Sequence, residues 1–301
     1  MSEIIGLVGG SGLGDVLGQR LEKVRRVRIN TPFGYPSEDI LTGTFAGRKV
    51  AFINRHGSSH QHSPSTVPYA ANIYASTVPY AANIYALKKL GVTSVIASAA
   101  VGSLEQKIKP GDIVIVDQVI DKTFKRENTF FDKIGAVHCE MARPYCDRLR
   151  QALLKVSNKV KTKVHSGALY ICMEGPQFST RGESLMHRKW GGQLIGMTAM
   201  PEAKLAREAQ MCFALVALIS DYDCWQEQKK KLDAQTLLKE IIGNLNDATE
   251  NAIEMIKAVL QSKQTLCDDS CPCRKSLQLA VWTKEEKINP KYAQILKVLR
   301  S

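Results

Sequence analysis

Ile4-Ile5-Gly6-Leu7-Val8-Gly9-Gly10-Ser11-Gly12 is a short apolar run that stops in four small residues. Apolar residues in such a run, closed by glycine, read as a fully buried strand feeding a tight turn. The same pattern recurs along the chain. Further buried strands are expected over residues 49–54, 92–100, 111–116, 168–173, 193–197 and 213–220. Between several of them the apolar spacing turns helical, most clearly over 144–159, 181–190, 201–210 and 234–260. Strands alternating with helices predict an α/β layer fold on a largely parallel or mixed sheet.

The chain has 301 residues, 44% of them hydrophobic and 23% charged. This mix suits a soluble globular protein and excludes a mainly disordered chain. At this length roughly three quarters of the unfolded surface can be buried. No apolar run reaches the ~20 residues that a bilayer span needs. Met1-Ser-Glu-Ile-Ile has no basic region before its apolar stretch, so no secretory signal is expected and the compartment is expected to be cytoplasmic. The net charge of +12 raises nucleic acid, an anionic membrane or an anionic substrate as partners. Its tightest groups are Arg25-Arg26-Val27-Arg28 and Lys229-Lys230-Lys231, and neither is interleaved with aromatics. With no zinc-finger or RNA-recognition signature either, neither nucleic acid nor a membrane is expected as partner.

No Pro/Gly/Ser-rich linker divides the chain. One domain is expected over 1–262, followed by a Cys- and Lys-rich tail over 263–301 that packs on the same domain and ends in a short helix over 292–299. Eight cysteines in this length do not make a disulfide scaffold. Only Cys271-Pro272-Cys273 is closely spaced. It lacks a second Cys pair or a His pair nearby, so no metal is expected, and the pair reads either as an oxidisable couple or as ordinary thiols. A perfect repeat is unusual: the eleven residues 65–75 recur unchanged as 76–86. Two copies make no solenoid. Eleven residues are close to three helical turns, so an added copy would keep the buried face, but Pro79 opposes a continuous helix. Which copy takes the native place is left open.

Several strand exits carry residues suited to chemistry. Gly9-Gly10-Ser11-Gly12 lets backbone N–H groups approach an anion beside the Ser11 hydroxyl, although it is neither a dinucleotide fingerprint nor a Walker loop. Arg55-His56-Gly57-Ser58-Ser59-His60-Gln61-His62 follows a strand, where open α/β sheets place ligands, and an Arg fork beside an imidazole suits phosphate. Met173-Glu174-Gly175-Pro176-Gln177-Phe178-Ser179-Thr180-Arg181 leaves a strand and opens a helix, with Phe178 able to stack on a flat ring. Gly196-Met197-Thr198 ends another strand. Ser220-Asp221-Tyr222-Asp223-Cys224-Trp225 brings two carboxylates out of a very apolar strand, spaced to share one side and placed for a raised pKa.

Taken in order with Ala100-Val-Gly-Ser-Leu104, Pro110-Gly-Asp-Ile-Val114 and Pro201-Glu-Ala203, these motifs resemble the methylthioadenosine phosphorylases of the trimeric purine nucleoside phosphorylase superfamily, from about residue 4 to about residue 260. The Cys-Pro-Cys tail is similar to that of microbial members. The resemblance implies a three-layer-like α/β sandwich around a mixed, partly barrel-like sheet, assembled as a homotrimer. It implies cleavage of the N-glycosidic bond of methylthioadenosine by inorganic phosphate, giving adenine and 5-methylthioribose 1-phosphate. Phosphate is a co-substrate, and no metal or organic cofactor is implied.

The resemblance also distributes roles. Ser11, Arg55, His56 and Thr198, with the backbone at Ala99 and Ala100, would hold phosphate. Met197 would lie against the ribose, Phe178 would pack on the base, and Ser179 would lie near it. Asp221 and Asp223 would bind the adenine edge, with Asp221 as the proton donor near N7. His138 would reach the 5′ side of a neighbouring subunit's substrate, and Ala234 and Leu237 would line the methylthio pocket. A carboxylate accepts from the exocyclic amine of adenine, whereas a 6-oxopurine presents an acceptor there. The chain departs from the family pattern at the duplication, at Ala99 in place of a hydroxyl residue, and at Ser220 where many relatives have Thr. Other readings are a 6-oxopurine or methylthioinosine phosphorylase, for which survival of adenine specificity in Asp221→Asn and Asp223→Asn would overturn the base-recognition assignment, and a binding-only protein whose site the duplication has spoiled.

Overall fold

The computed structural model describes residues 3–57, 61–64, 76–226, 233–262 and 264–301. In chain order the elements are β1 (Ile4–Gly9), α1 (Leu13–Leu17), β2 (Glu22–Val27), β3 (Ile40–Phe45), β4 (Arg48–Asn54), β5 (His62–Ser63), β6 (Ser76–Thr77) and α2 (Tyr80–Lys89). There follow β7 (Val92–Ser103), β8 (Ile113–Ile115), β9 (Gln118–Asp121), α3 (Asp147–Lys155), β10 (Val164–His165), β11 (Leu169–Cys172) and α4 (Arg181–Lys189). The last are β12 (Leu194–Gly196), α5 (Ala199–Glu208), β13 (Cys212–Tyr222), α6 (Ala234–Gln261) and α7 (Ala293–Arg300).

The main path of the sheet runs β10-β8-β13-β7-β1-β4-β3-β2. Its centre, β13-β7-β1-β4, is parallel. These strands are apolar on both faces because helices cover both, as a parallel sheet requires. From the far end of β7 the sheet branches: β12 pairs antiparallel with Gly102 and Ser103, and β11 and β9 continue from it. The sheet is thus mixed and flanked by helices. Two apolar clusters fill its sides, one holding α2 and α5, the other α3 and α6.

Local differences from the expected elements have physical causes. The strand expected over 111–116 is only Ile113–Ile115, because Gly111 sits at φ +85° and turns the chain. Pro79 does not interrupt a helix; it stands at the N-cap of α2, where its missing N–H costs nothing. The second copy of the repeat therefore supplies β6 and most of α2, and the first, 65–75, lies outside the described residues. The basic group at Arg25–Arg28 falls mostly on β2, an exposed edge strand whose charges discourage pairing with other chains. Lys229–Lys231 lie outside the described residues. Past α6 the chain returns to the core: Leu277, Ile295 and Leu299 are buried in the first cluster and Leu266 in the second.

Glu208, near the end of α5, accepts from the Phe130 N–H and the Thr129 hydroxyl, each at 2.7 Å. Burial nonetheless pushes its pKa from 4.5 up to about 7. A raised carboxyl pKa gives stability that is complete below the unfolded value and lost as pH rises through the folded one. Stability is therefore expected to fall between pH 4.5 and about 7, by up to about 3 kcal/mol. Glu208→Gln should flatten that slope in urea titrations across this range.

Candidate active site

β1 and β4 end level with one another, Gly9 opposite Asn54, beside the middle of β7, where Val8 pairs with Ala97; β7 and β13 run on together past this point, Ala217 and Leu218 opposite Ala99 and Ala100, as far as Ser103 and Tyr222. Ser11 follows β1, Arg55 and His56 follow β4, Ala99 and Ala100 lie on the extended part of β7, and Asp221 and Asp223 stand at the end of β13. Ser11 lies in the turn after β1, half-buried. That turn presses on its neighbours: a Cβ at Gly10 would stand 2.6 Å from Arg55 Nη1 and 2.8 Å from the Ser98 carbonyl oxygen. No larger residue fits without moving backbone. The Gly10 N–H donates to the Ser98 hydroxyl at 3.2 Å, so the hydroxyl missing at Ala99 has a neighbour one residue earlier. The register of β7 with β1 stops at Ala97 while that with β13 runs on, which turns one backbone edge at Ala99 and Ala100 toward the Gly turn.

Arg55 is fully buried under this turn. Its Nε and Nη2 engage the two oxygens of Glu202, the latter at 2.8 Å, and Nη1 donates to the Ser98 carbonyl at 2.9 Å. Burial disfavours the guanidinium charge, but Glu202 outweighs it and holds the pKa above its ordinary value. Arg55 thus fixes the turn from below. His56, also buried, donates from Nδ1 to the His62 carbonyl at 2.8 Å, which leaves Nε2 the acceptor when the ring is neutral. His60 lies outside the described residues.

Thr198 is buried at the N-cap of α5, and Met197 precedes it. Both are reached by the antiparallel run of β12 back along β7 toward Ala100. Arg126 ties this segment to the next loop. It donates to the carbonyls of Met197, Met200 and Glu174 and to the Tyr80 hydroxyl, and lies beside the Glu174 carboxylate. Within that loop Gly175 stands at φ +74°, and a Cβ there would meet Met197 Sδ at 2.6 Å. Ser179 is half-buried, its hydroxyl 3.8 Å from Met173 Sδ. Phe178 is 84% exposed. Thr180 and Glu183 form a capping box that starts α4 and anchors the loop's far end.

At the end of β13 the register with β7 shifts by one residue at Ser220. Ser220 is the residue left unpaired; Asp221 stays in the ladder opposite Gly102, and Asp223 lies just past the strand end. The Ser220 hydroxyl is 2.5 Å from Asp221 Oδ1 and 3.2 Å from the Val101 carbonyl oxygen. The single hydroxyl proton serves one of these two acceptors at a time. Burial raises the Asp221 pKa, the Ser220 hydrogen bond opposes this, and the Asp223 carboxylate adds to it. Asp223 is held by its N–H to the Ser103 carbonyl at 3.1 Å, and its Oδ2 is buried with no hydrogen-bond partner among the described residues.

Asn244 of α6 donates to the Ser220 carbonyl at 3.1 Å. Leu237 is two helical turns earlier on the same face of α6. Ala234 begins the same helix. His138 is brought elsewhere: it is exposed, its N–H donates to the Ala280 carbonyl, and its ring packs edge-on against Trp282 at 5.7 Å. Glu202, Ser98, Arg126 and Glu174 were given no role by sequence reasoning. Glu202 had a signal, since a buried Arg55 demands a counter-charge. Arg126, in the polar run Lys125-Arg126-Glu127-Asn128, had none.

The phosphorylase superfamily model matches residues 4–261. An S-methyl-5′-thioadenosine phosphorylase of Cereibacter sphaeroides is 41% identical over 290 residues, covering 96% of this chain and 94% of its own. One from Geobacter sulfurreducens is 40% identical with the same coverage. Among solved structures, a methylthioadenosine phosphorylase from an antarctic soil metagenomic library aligns with a TM-score of 0.84 at 40% identity, over 99% of both chains. The Schistosoma mansoni methylthioadenosine phosphorylase in complex with adenine gives 0.75 at 32%, over 87% of this chain and 93% of its own. Matches of this extent mean that the chain belongs to the phosphorylase superfamily, among the S-methyl-5′-thioadenosine phosphorylases.

Proposed function

We propose that the chain cleaves methylthioadenosine with inorganic phosphate to adenine and 5-methylthioribose 1-phosphate, in purine and methionine salvage. The observation that carries this is the carboxyl pair at the bulged end of β13, with Asp221 raised in pKa and Asp223 Oδ2 buried with no hydrogen-bond partner among the described residues. Breaking the bond builds positive charge on the sugar and negative charge on the base. Phosphate, drawn to the Gly turn, His56 and Thr198 above the Arg55–Glu202 pair, offsets the first and attacks the sugar carbon. A neutral Asp221 gives a proton toward N7, and Asp223 accepts from the exocyclic amine. Phe178 closes on the base, Met197 on the ribose, and Ala234 and Leu237 on the methylthio group. The reaction needs no metal or organic cofactor. A homotrimer completes the site by bringing His138 of a neighbouring subunit to the 5′ side, and the exposure of His138 fits this.

The test is chromatographic base release from methylthioadenosine, adenosine and inosine, each with and without phosphate. Phosphate-dependent adenine release from methylthioadenosine is expected. Preferential hypoxanthine release from inosine would move the assignment to a 6-oxopurine enzyme. Ser220→Ala removes the hydrogen bond that favours the Asp221 carboxylate. The alkaline limb of the kcat/KM profile is therefore expected to move to higher pH.

A further inference from the structure

Four cysteines from three distant stretches of the chain meet at one buried point. Cys146 caps the N-terminus of α3, Cys212 opens β13, and Cys271 and Cys273 come from the segment after α6. All four are buried, and their sulfur atoms lie within 4.8 Å of one another. Cys212 Sγ is 3.3 Å and Cys146 Sγ 3.7 Å from Cys271 Sγ. Thiolates around a tetrahedral Zn2+, each about 2.3 Å from the ion, stand about 3.8 Å apart on every edge. The sulfurs of a disulfide are about 2 Å apart. We propose that Cys146, Cys212, Cys271 and Cys273 form a tetrathiolate site for Zn2+. The pair missing beside Cys271-Pro-Cys273 in the sequence is supplied from 59 and 125 residues away along the chain.

The surroundings suit a thiolate cluster. Four thiolates leave a bound Zn2+ with two excess negative charges, and a buried cation stands beside them: Arg207 Nη1 is 3.6 Å from Cys273 Sγ. Cys146 stands at the N-cap of a nine-residue helix, where the helix dipole favours negative charge. Partners of this kind orient ligands and tune the metal. Four sulfur donors and no oxygen or nitrogen donor select zinc over calcium or magnesium. The site would tie the C-terminal segment to the start of β13 and to α3.

The test uses the full chain without a polyhistidine tag, purified under reducing conditions. Metal analysis should find about one Zn2+ per chain, released in step with thiol titration by a mercurial reagent. Co2+ in its place should give sulfur-to-cobalt charge-transfer bands and strong tetrahedral d–d absorption. The Cys271→Ser/Cys273→Ser variant should lose both signals and Cys139→Ser should keep them. Stripping the metal should lower Tm by about 10 °C. If the double variant fails to fold, thiol counting on the unmodified chain decides. Unfolded without reductant, a zinc-loaded protein shows all eight cysteines as thiols. A fully reduced chain that binds neither Zn2+ nor Co2+, or a fresh preparation whose mass shows these four cysteines joined as disulfides, overturns the proposal.

Discussion

Asp221→Asn is expected to lower kcat for methylthioadenosine phosphorolysis by about 10²–10⁴-fold, the usual contribution of a positioned acid. Asparagine keeps the size and can still donate a hydrogen bond from its amide, so KM should change far less than kcat. What it cannot do is release a proton to the departing base. The alkaline limb that Asp221 sets in the kcat profile should vanish with it. Asp223→Asn acts differently. It replaces an acceptor by a group that can donate, which favours a 6-oxo substituent over a 6-amino one. The ratio of inosine to methylthioadenosine kcat/KM should rise by about tenfold or more, as one reversed buried hydrogen bond implies. If adenine specificity survives both substitutions, base recognition lies elsewhere.

Glu202→Ala should be the most destabilising single change near the site. It strands the Arg55 charge, which is fully buried and has Glu202 as its bidentate partner. Removing one member of such a pair costs about 3–5 kcal/mol, read as a fall in the urea midpoint. The double variant Arg55→Met/Glu202→Leu separates structure from function. Apolar replacements of similar volume often restore the stability that a single charge deletion loses. The phosphate-dependent rate should nevertheless stay low, because nothing then fixes the Gly turn and His56 from beneath. A single variant as stable as the parent would show that the pair carries little weight.

The central strands were legible because a buried parallel strand writes its burial into consecutive apolar residues, as 213–220 does. Glu22-Lys-Val-Arg-Arg-Val27 escaped for the opposite reason: an exposed edge strand has little apolar pattern to read. The carboxyl pair was visible as a motif, but the bulge at Ser220 that precedes it is a matter of register between β13 and β7 and leaves no local trace. Glu202 and Arg126 escaped because their partners are far away in sequence. The same holds for the cysteine cluster, where Cys271-Pro-Cys273 alone argued against a metal and only the fold brings in Cys146 and Cys212.

The parallel pairing of His62–Ser63 with Ser76–Thr77 carries a further consequence. Parallel neighbours need a return path of about a dozen residues, and here twelve, Pro64 to Ala75, separate the two strands. Removing either copy of the repeat gives one and the same shorter chain, with a single residue left between Ser63 and the next Ser-Thr. That chain has no room for the pairing. The small ladder is thus a product of the duplication rather than an inheritance of the fold, and it adjoins the His62 carbonyl that orients His56. The longer and shorter chains form a natural pair for asking whether an accidental lengthening of the chain between the two strands has been absorbed as a brace for an imidazole. Faster amide exchange at Ser76–Val78 on shortening, together with a change in phosphate KM, is the answer that this geometry leads one to expect.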